Sequence, residues 1–166
     1  MDHRTTLTMA GIAIVSLAGG YFGSAAVAQE KTLKEQIVGA WALTSAYDDF
    51  AGKKVDSWGP NVRGTVIFDK SGQFEFLIIA ANRPKPTTGL TYPLGPALGH
   101  FGTYEVDEAS KTFTYHIDRS TFPDLDGTDA KRIFTVRGDE MTYKATAPIP
   151  SPDGPFVPHL EWKRTK

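Results

Sequence analysis

Gly102-Thr103-Tyr104-Glu105-Val106-Asp107, then Glu108-Ala109-Ser110, then Lys111-Thr112-Phe113-Thr114-Tyr115-His116-Ile117-Asp118-Arg119-Ser120, is the stretch on which the fold turns. Tyr104 and Val106 alternate with polar residues before the link, and Phe113, Tyr115 and Ile117 alternate with them after it. A period of two marks a half-buried strand, because successive side chains leave opposite faces of a pleated ribbon. A short polar link between two such runs marks a hairpin.

The same pattern extends in both directions. Strands are predicted over 38–47, 54–58, 64–69, 73–80, 101–107, 111–120, 129–137, 140–147 and 159–164. In the fourth, Phe74, Phe76 and Ile78 share a face. Gly59-Pro60-Asn61, Lys70-Ser71-Gly72 and Gly138-Asp139 supply turn chemistry between them. Two longer links stand apart: 81–98, with Pro84, Pro86, Pro93 and Pro96, and 148–158, with Pro148 at its start. Proline cannot donate to a ladder, so neither is a central strand, and loops of this length are commonly functional. Before the strands, Thr32 and Glu35 form a capping-box pair for a short helix over 32–36, which Gly39 ends. Nothing alternates strand with helix, so parallel crossover units are excluded. The expected fold is all-β: one antiparallel up-and-down β-barrel of eight or nine strands, closed because closure removes exposed edges. The alternative is a two-sheet sandwich.

The 166 residues suit one domain, and a net charge of −1 leaves no electrostatic footprint for nucleic acid. With no cysteine, disulfides, thiolate chemistry and cysteine-bound zinc are excluded. Residues 1–28 differ from the rest. Arg4 is followed by an apolar run over 7–17 and then small residues ending in Ala26-Val27-Ala28. That order is a signal-peptide pattern, and the run is too short for an ordinary membrane span. The expected division is a signal peptide at 1–28 and the barrel at 29–166, exported to a periplasm or the exterior. An uncleaved anchor is the alternative, because Tyr21 and Phe22 extend the apolar stretch.

Gly39-Ala40-Trp41 opens the first strand, and Trp162-Lys163-Arg164 lies in the last. Between them, in order, come Gly102-Thr103-Tyr104, Tyr115-His116-Ile117, Ser120, Pro123, Gly127-Thr128, Arg132-Ile133-Phe134 and Gly138-Asp139. This ordered set resembles the bacterial and fungal lipocalin-like domain family, over nearly all of the chain after residue 28. The resemblance implies a lipocalin-type barrel, with Trp41 and Arg164 stacked as a cation–π pair that plugs one end. There are two departures. Tyr115 stands where the family pattern often has the first of two adjacent histidines, and the 81–98 loop is richer in proline. A function needing a histidine pair, and the choice of ligand, are therefore not carried over.

Tyr104, His116, Ser120, Arg132 and Phe134 are the candidate ligand-binding residues. On the 129–137 strand, Arg132 shares a face with Phe134 and Val136, leaving Lys131 and Arg137 opposite. Turning two charges outward favours Arg132 inward, where it needs an anion, a ligand oxygen or Tyr104 as partner. A structural ion pair with Asp118 or Glu105 is the alternative. His116 shares parity with Ser120. The apolar face of Phe113, Tyr115 and Ile117 argues that His116 points outward, whereas the family pattern argues inward, the placement adopted here. The histidines lack metal-ligand spacing, so no metal is expected, although His100 and His159 flank the two long loops. Asp124-Leu125-Asp126-Gly127 with Asp129 lacks the closing glutamate of a calcium loop and reads as a solvated turn. No phosphate-cradling loop or nucleophile elbow is present, and no cofactor is expected.

The expected function is an exported barrel binding a small apolar or amphipathic molecule in its interior, without nucleic acid and without a stable membrane span. Two alternatives stand beside it. One is an isomerase or cyclase using His116, Tyr104 and Arg132. The other is a ligand-free interaction protein presenting Phe156 and Tyr92.

Overall fold

The computed structural model describes residues 30–84 and 96–166. The expected signal segment 1–28 lies outside the described residues, as do Pro86, Tyr92 and Pro93. A five-residue helix, α1 (Leu33–Ile37), precedes nine strands: β1 (Gly39–Phe50), β2 (Lys53–Val55), β3 (Arg63–Phe68), β4 (Gln73–Ile79), β5 (Ala97–Asp107), β6 (Thr112–Ser120), β7 (Asp129–Arg137), β8 (Glu140–Ala145) and β9 (Val157–Arg164). From β3 to β9 each strand pairs antiparallel with the next, and β1 pairs with β3 on one side and β9 on the other. The ring is closed, so the fold is an eight-stranded barrel with β2 as an extra ribbon on the far end of β1. The sandwich alternative is thereby overturned. β5 starts immediately after Pro96, so Ala97 and Leu98 belong to the ladder and not to the loop.

The two ends differ because their links differ. At one end sit the tight connections around 69–72, 108–111 and 138–139, together with α1. At the other sit the longer connections 56–62, 121–128 and 146–156, with the described residues 80–84 and 96 that follow β4 and precede β5. The closed end is sealed by local chemistry. Thr32 and Glu35 cap α1 reciprocally, at 3.1 and 2.9 Å. The Glu108 carboxylate, from the β5–β6 hairpin, accepts the next two helix amides, those of Leu33 and Lys34, at 2.8 and 2.9 Å. Ile37 is fully buried, and its carbonyl accepts the Trp41 indole N–H at 2.8 Å.

Arg164 lies with its guanidinium carbon 4.0 Å from the centre of the Trp41 ring. Its nitrogens donate to the carbonyls of Val38 and Gln36, both at 2.7 Å. This explains the glycine of Gly39-Ala40-Trp41: a Cβ at residue 39 would sit 2.7 Å from the Arg164 Nη1 atom, and the backbone there has φ +132°. One side chain thus ties the last strand to the start of β1 and to the helix C-terminus. Arg164→Met keeps the aliphatic stem but leaves two carbonyls unserved. It is expected to lower stability by about 2 kcal/mol, read by urea unfolding.

The interior of the closed half is filled by rings. Phe68 meets Tyr104 and Phe113 edge-on at 4.9 and 5.5 Å, and Phe113 meets Tyr115, Phe134 and Tyr143 at 4.7, 5.3 and 5.2 Å. Two β-bulges interrupt the alternation. In β1 the register shifts between Leu43 and Ser45, so Trp41 and Leu43 are buried before it and Asp48 after it. In β6, Ile117 faces Gly102 while Arg119 faces Phe101, which makes Asp118 the extra residue.

Candidate functional site

The β6 bulge decides where two of the predicted residues go. His116 lies on the outer face, 55% exposed, with Nδ1 2.8 Å from the Asp129 carboxylate. The expectation that it faces inward is corrected: Phe113, Tyr115 and Ile117 form the buried face, and His116 lies between them in parity. Ser120 does not share its face. Across the bulge the parity reverses, so half-buried Ser120 stands opposite buried His100, and its hydroxyl accepts the Phe122 amide at 3.0 Å. His116→Ala is expected to change stability by less than about 0.5 kcal/mol, since the pair is exposed. It should leave interior ligand binding untouched, which a parallel melt and titration would check.

Tyr104 is buried, yet it belongs to the closed end. Its hydroxyl donates to the Asp69 carbonyl at 2.7 Å, latching the β3–β4 turn, and burial pushes its pKa up to about 12. Phe134 is buried against Phe113, in the aromatic fill. Arg132 is half-buried on the face of Phe134 and Val136, as its strand pattern predicts. Its partner is neither Tyr104 nor an acid: Nη1 donates to the Lys131 carbonyl at 3.0 Å, and among the described residues it makes no ion pair with Asp118 or Glu105. Its charge is felt by His100, Tyr115 and Tyr143. The set His116, Tyr104 and Arg132 is therefore not one site. Two carboxylates of the 123–129 segment are occupied locally: Asp126 accepts the Ser120 amide at 2.7 Å, and Asp129 holds His116. Phe156 is half-buried and stacked on Phe50 at 5.5 Å, so it is not the exposed aromatic that an interaction surface called for.

The structure supplies other residues in their place. His100 on β5 is 8% exposed and enclosed by rings. Phe76 stacks on it at 4.6 Å and 14°, while Phe74 and Tyr115 meet it edge-on at 5.7 and 5.8 Å. Its Nδ1 has no hydrogen-bond partner among the described residues. Burial first, and then the Arg132 charge, lower its pKa to about 4, so the ring is neutral near pH 7. Tyr115 donates to the Tyr143 hydroxyl at 3.3 Å, and both phenols are held well above the usual range by burial. Trp162 stacks beside Tyr143 at 5.7 Å, and its buried Nε1 makes no well-formed hydrogen bond among the described residues. Asp48, carried inward by the β1 bulge, is 7% exposed; burial raises its pKa, and a hydrogen bond from Ser57 partly offsets this. Polar atoms without partners inside an aromatic shell cost about 1–3 kcal/mol each. Two of them within one barrel form the strongest site signal in the molecule.

His159, in contrast, lies on the outside, stacked on Tyr47 at 4.6 Å and 11°, with the Lys54 ammonium 4.0 Å over the other ring. His100 and His159 thus point to opposite sides of the wall. A shallow outer groove of about 350 Å³ runs past this pair, along Ile133, Thr135, Thr142 and Lys144. A second concavity, of about 630 Å³, lies outside the closed end around α1 and Arg164.

A family model described as a lipocalin-like domain matches residues 38–165, from just before β1 to just after β9. The chain belongs to the lipocalin-like domain family. The match takes in both halves of the seal, Trp41 and Arg164, and the wall that carries His100 and Arg132. No curated protein and no solved structure matches this lipocalin-like chain. Among its described residues, no helix is long and apolar enough to cross a membrane.

Proposed function

We propose that this lipocalin-like barrel holds a small, partly apolar molecule at the open half of its interior, above the aromatic fill. The observation that carries the reading is His100: a neutral imidazole, nine-tenths buried among Phe74, Phe76 and Tyr115, with one ring nitrogen unserved among the described residues. Together with Trp162 Nε1 and half-buried Arg132, it gives an apolar wall with a few polar groups that could orient a guest. The enzymatic alternative loses its residues, because His116 is outside the barrel and the Tyr104 hydroxyl is committed to Asp69. Any proton transfer inside the barrel would instead run through His100 or the Tyr115–Tyr143 pair. Export is part of the proposal and rests on the residue order of 1–28; N-terminal sequencing of exported protein should find a chain starting at Gln29.

Titration with the neutral fluorophore N-phenyl-1-naphthylamine tests the interior reading. One saturable site per chain is expected, with quenching of tryptophan emission. Tyr47→Ala, which dismantles the outer groove, should leave the affinity unchanged. Absence of saturable binding, or its loss in Tyr47→Ala, would overturn the interior site.

A further inference from the structure

We propose that the preferred guest is an anion, specifically a planar aromatic acid whose charged group meets Arg132 while its ring lies against the His100–Phe76 wall. This rests on the interior reading above and adds to it the sign of the charge.

Three independent features point the same way. Arg132 is half-buried on the inner face of its strand, beside Phe134 and Val136, and makes no ion pair among the described residues. A guanidinium partly removed from water gains most from a carboxylate or sulfonate, which can take two of its N–H groups at once. The inward-facing acid Asp48 does not serve it: it is buried with Ser57 as its hydrogen-bond partner and is not paired with Arg132. Finally, Trp162 Nε1, which makes no well-formed hydrogen bond among the described residues, is a donor only, so it is served best by an acceptor. A purely hydrocarbon guest would add no acceptor for this indole N–H and would leave the guanidinium with only the Lys131 carbonyl and no counter-charge. The residues around His100 are themselves aromatic, Phe74, Phe76 and Tyr115, so a ring on the guest would meet ring edges and faces there.

The test uses two probes that share one ring system: 1-anilinonaphthalene-8-sulfonate and its neutral parent, N-phenyl-1-naphthylamine. With the full barrel at low salt, the sulfonate is expected to bind about tenfold more tightly than the parent. Added sodium chloride should erode the sulfonate's affinity and spare the parent's. In Arg132→Met and Arg132→Gln the preference should collapse to about twofold or less while the parent still binds, with melting temperatures confirming the fold. Equal affinity for the two probes in the unaltered protein, or a preference that survives both substitutions, overturns the anionic guest and leaves the interior site standing. If neither probe binds, the interior site falls, and the anionic guest with it. Should the substitutions unfold the chain, the salt dependence and the probe ratio of the unaltered protein still decide the question.

Discussion

Gly102→Ala is expected to cost more than about 4 kcal/mol, enough to leave little folded chain at 37 °C. A Cβ on residue 102 would overlap the carbonyl oxygen of His116 and come within 2.9 Å of the Asp118 amide nitrogen. Both are main-chain atoms of the adjacent strand, fixed by the ladder and by the bulge at Asp118. A side chain in that position could rotate away, whereas backbone can move only if the two strands separate and surrender their hydrogen bonds. These are the strands that carry His100, Tyr104, Phe113, Tyr115 and Ile117 into the core, so local separation would spread. Gly99→Ala, three residues earlier on the same strand, is the control. Its Cβ would meet the Leu77 Cδ1 atom at 3.2 Å and the Phe76 carbonyl at 3.7 Å, contacts that a leucine rotamer can relieve. That variant should lose about 1 kcal/mol or less. Urea unfolding followed by circular dichroism compares the two. Gly102→Ala melting like the parent would mean that the strands are not in this register.

The barrel was legible because period-two alternation and turn residues survive along almost the whole chain. The seal at Trp41 and Arg164 was legible for another reason: it joins the two ends of the barrel and so leaves recognisable residues at both sequence ends of the domain. The site was less legible, and the cause is physical. Parity arguments assume an unbroken ladder, yet one extra residue at Asp118 puts His116 and Ser120 on opposite faces, and the shift between Leu43 and Ser45 turns Asp48 into the core. No residue type announces such a bulge. His100 was missed differently. Ending the loop at Leu98 left it beside a loop, although Leu98, His100, Gly102 and Tyr104 keep a single parity that was available to be read. Extending β5 back to Pro96, the first residue that could not join a ladder as a donor, would have placed His100 on the face of Tyr104.

His100 gives the second large effect, and it separates stability from function. Its pKa is about 4 in the folded chain against an ordinary value of 6.5, because rings exclude water and Arg132 repels a second positive charge. Below pH 6.5 the unfolded chain takes up a proton at this site and the folded chain does not, so acid favours unfolding. The contribution is fully present above pH 6.5, shrinks as the pH falls, and is exhausted near pH 4, amounting to about 3 kcal/mol. Carboxylates held low by their turns, such as Asp69 and Asp107, titrate nearby and add losses of their own. They are removed from the comparison by measuring His100→Phe alongside, since they are present in both chains. The difference in unfolding free energy between the two should widen by about 3 kcal/mol in favour of His100→Phe from pH 7 to pH 4. A phenyl ring in that site also has no nitrogen to leave unserved and can stack on Phe76, so the variant should be no less stable at pH 7. A protein more stable without its buried histidine, and weaker for an aromatic guest, would carry that residue for binding and not for folding. Parallel pH profiles for the two chains would mean that the imidazole is solvated, and the wall around it would then be no binding surface.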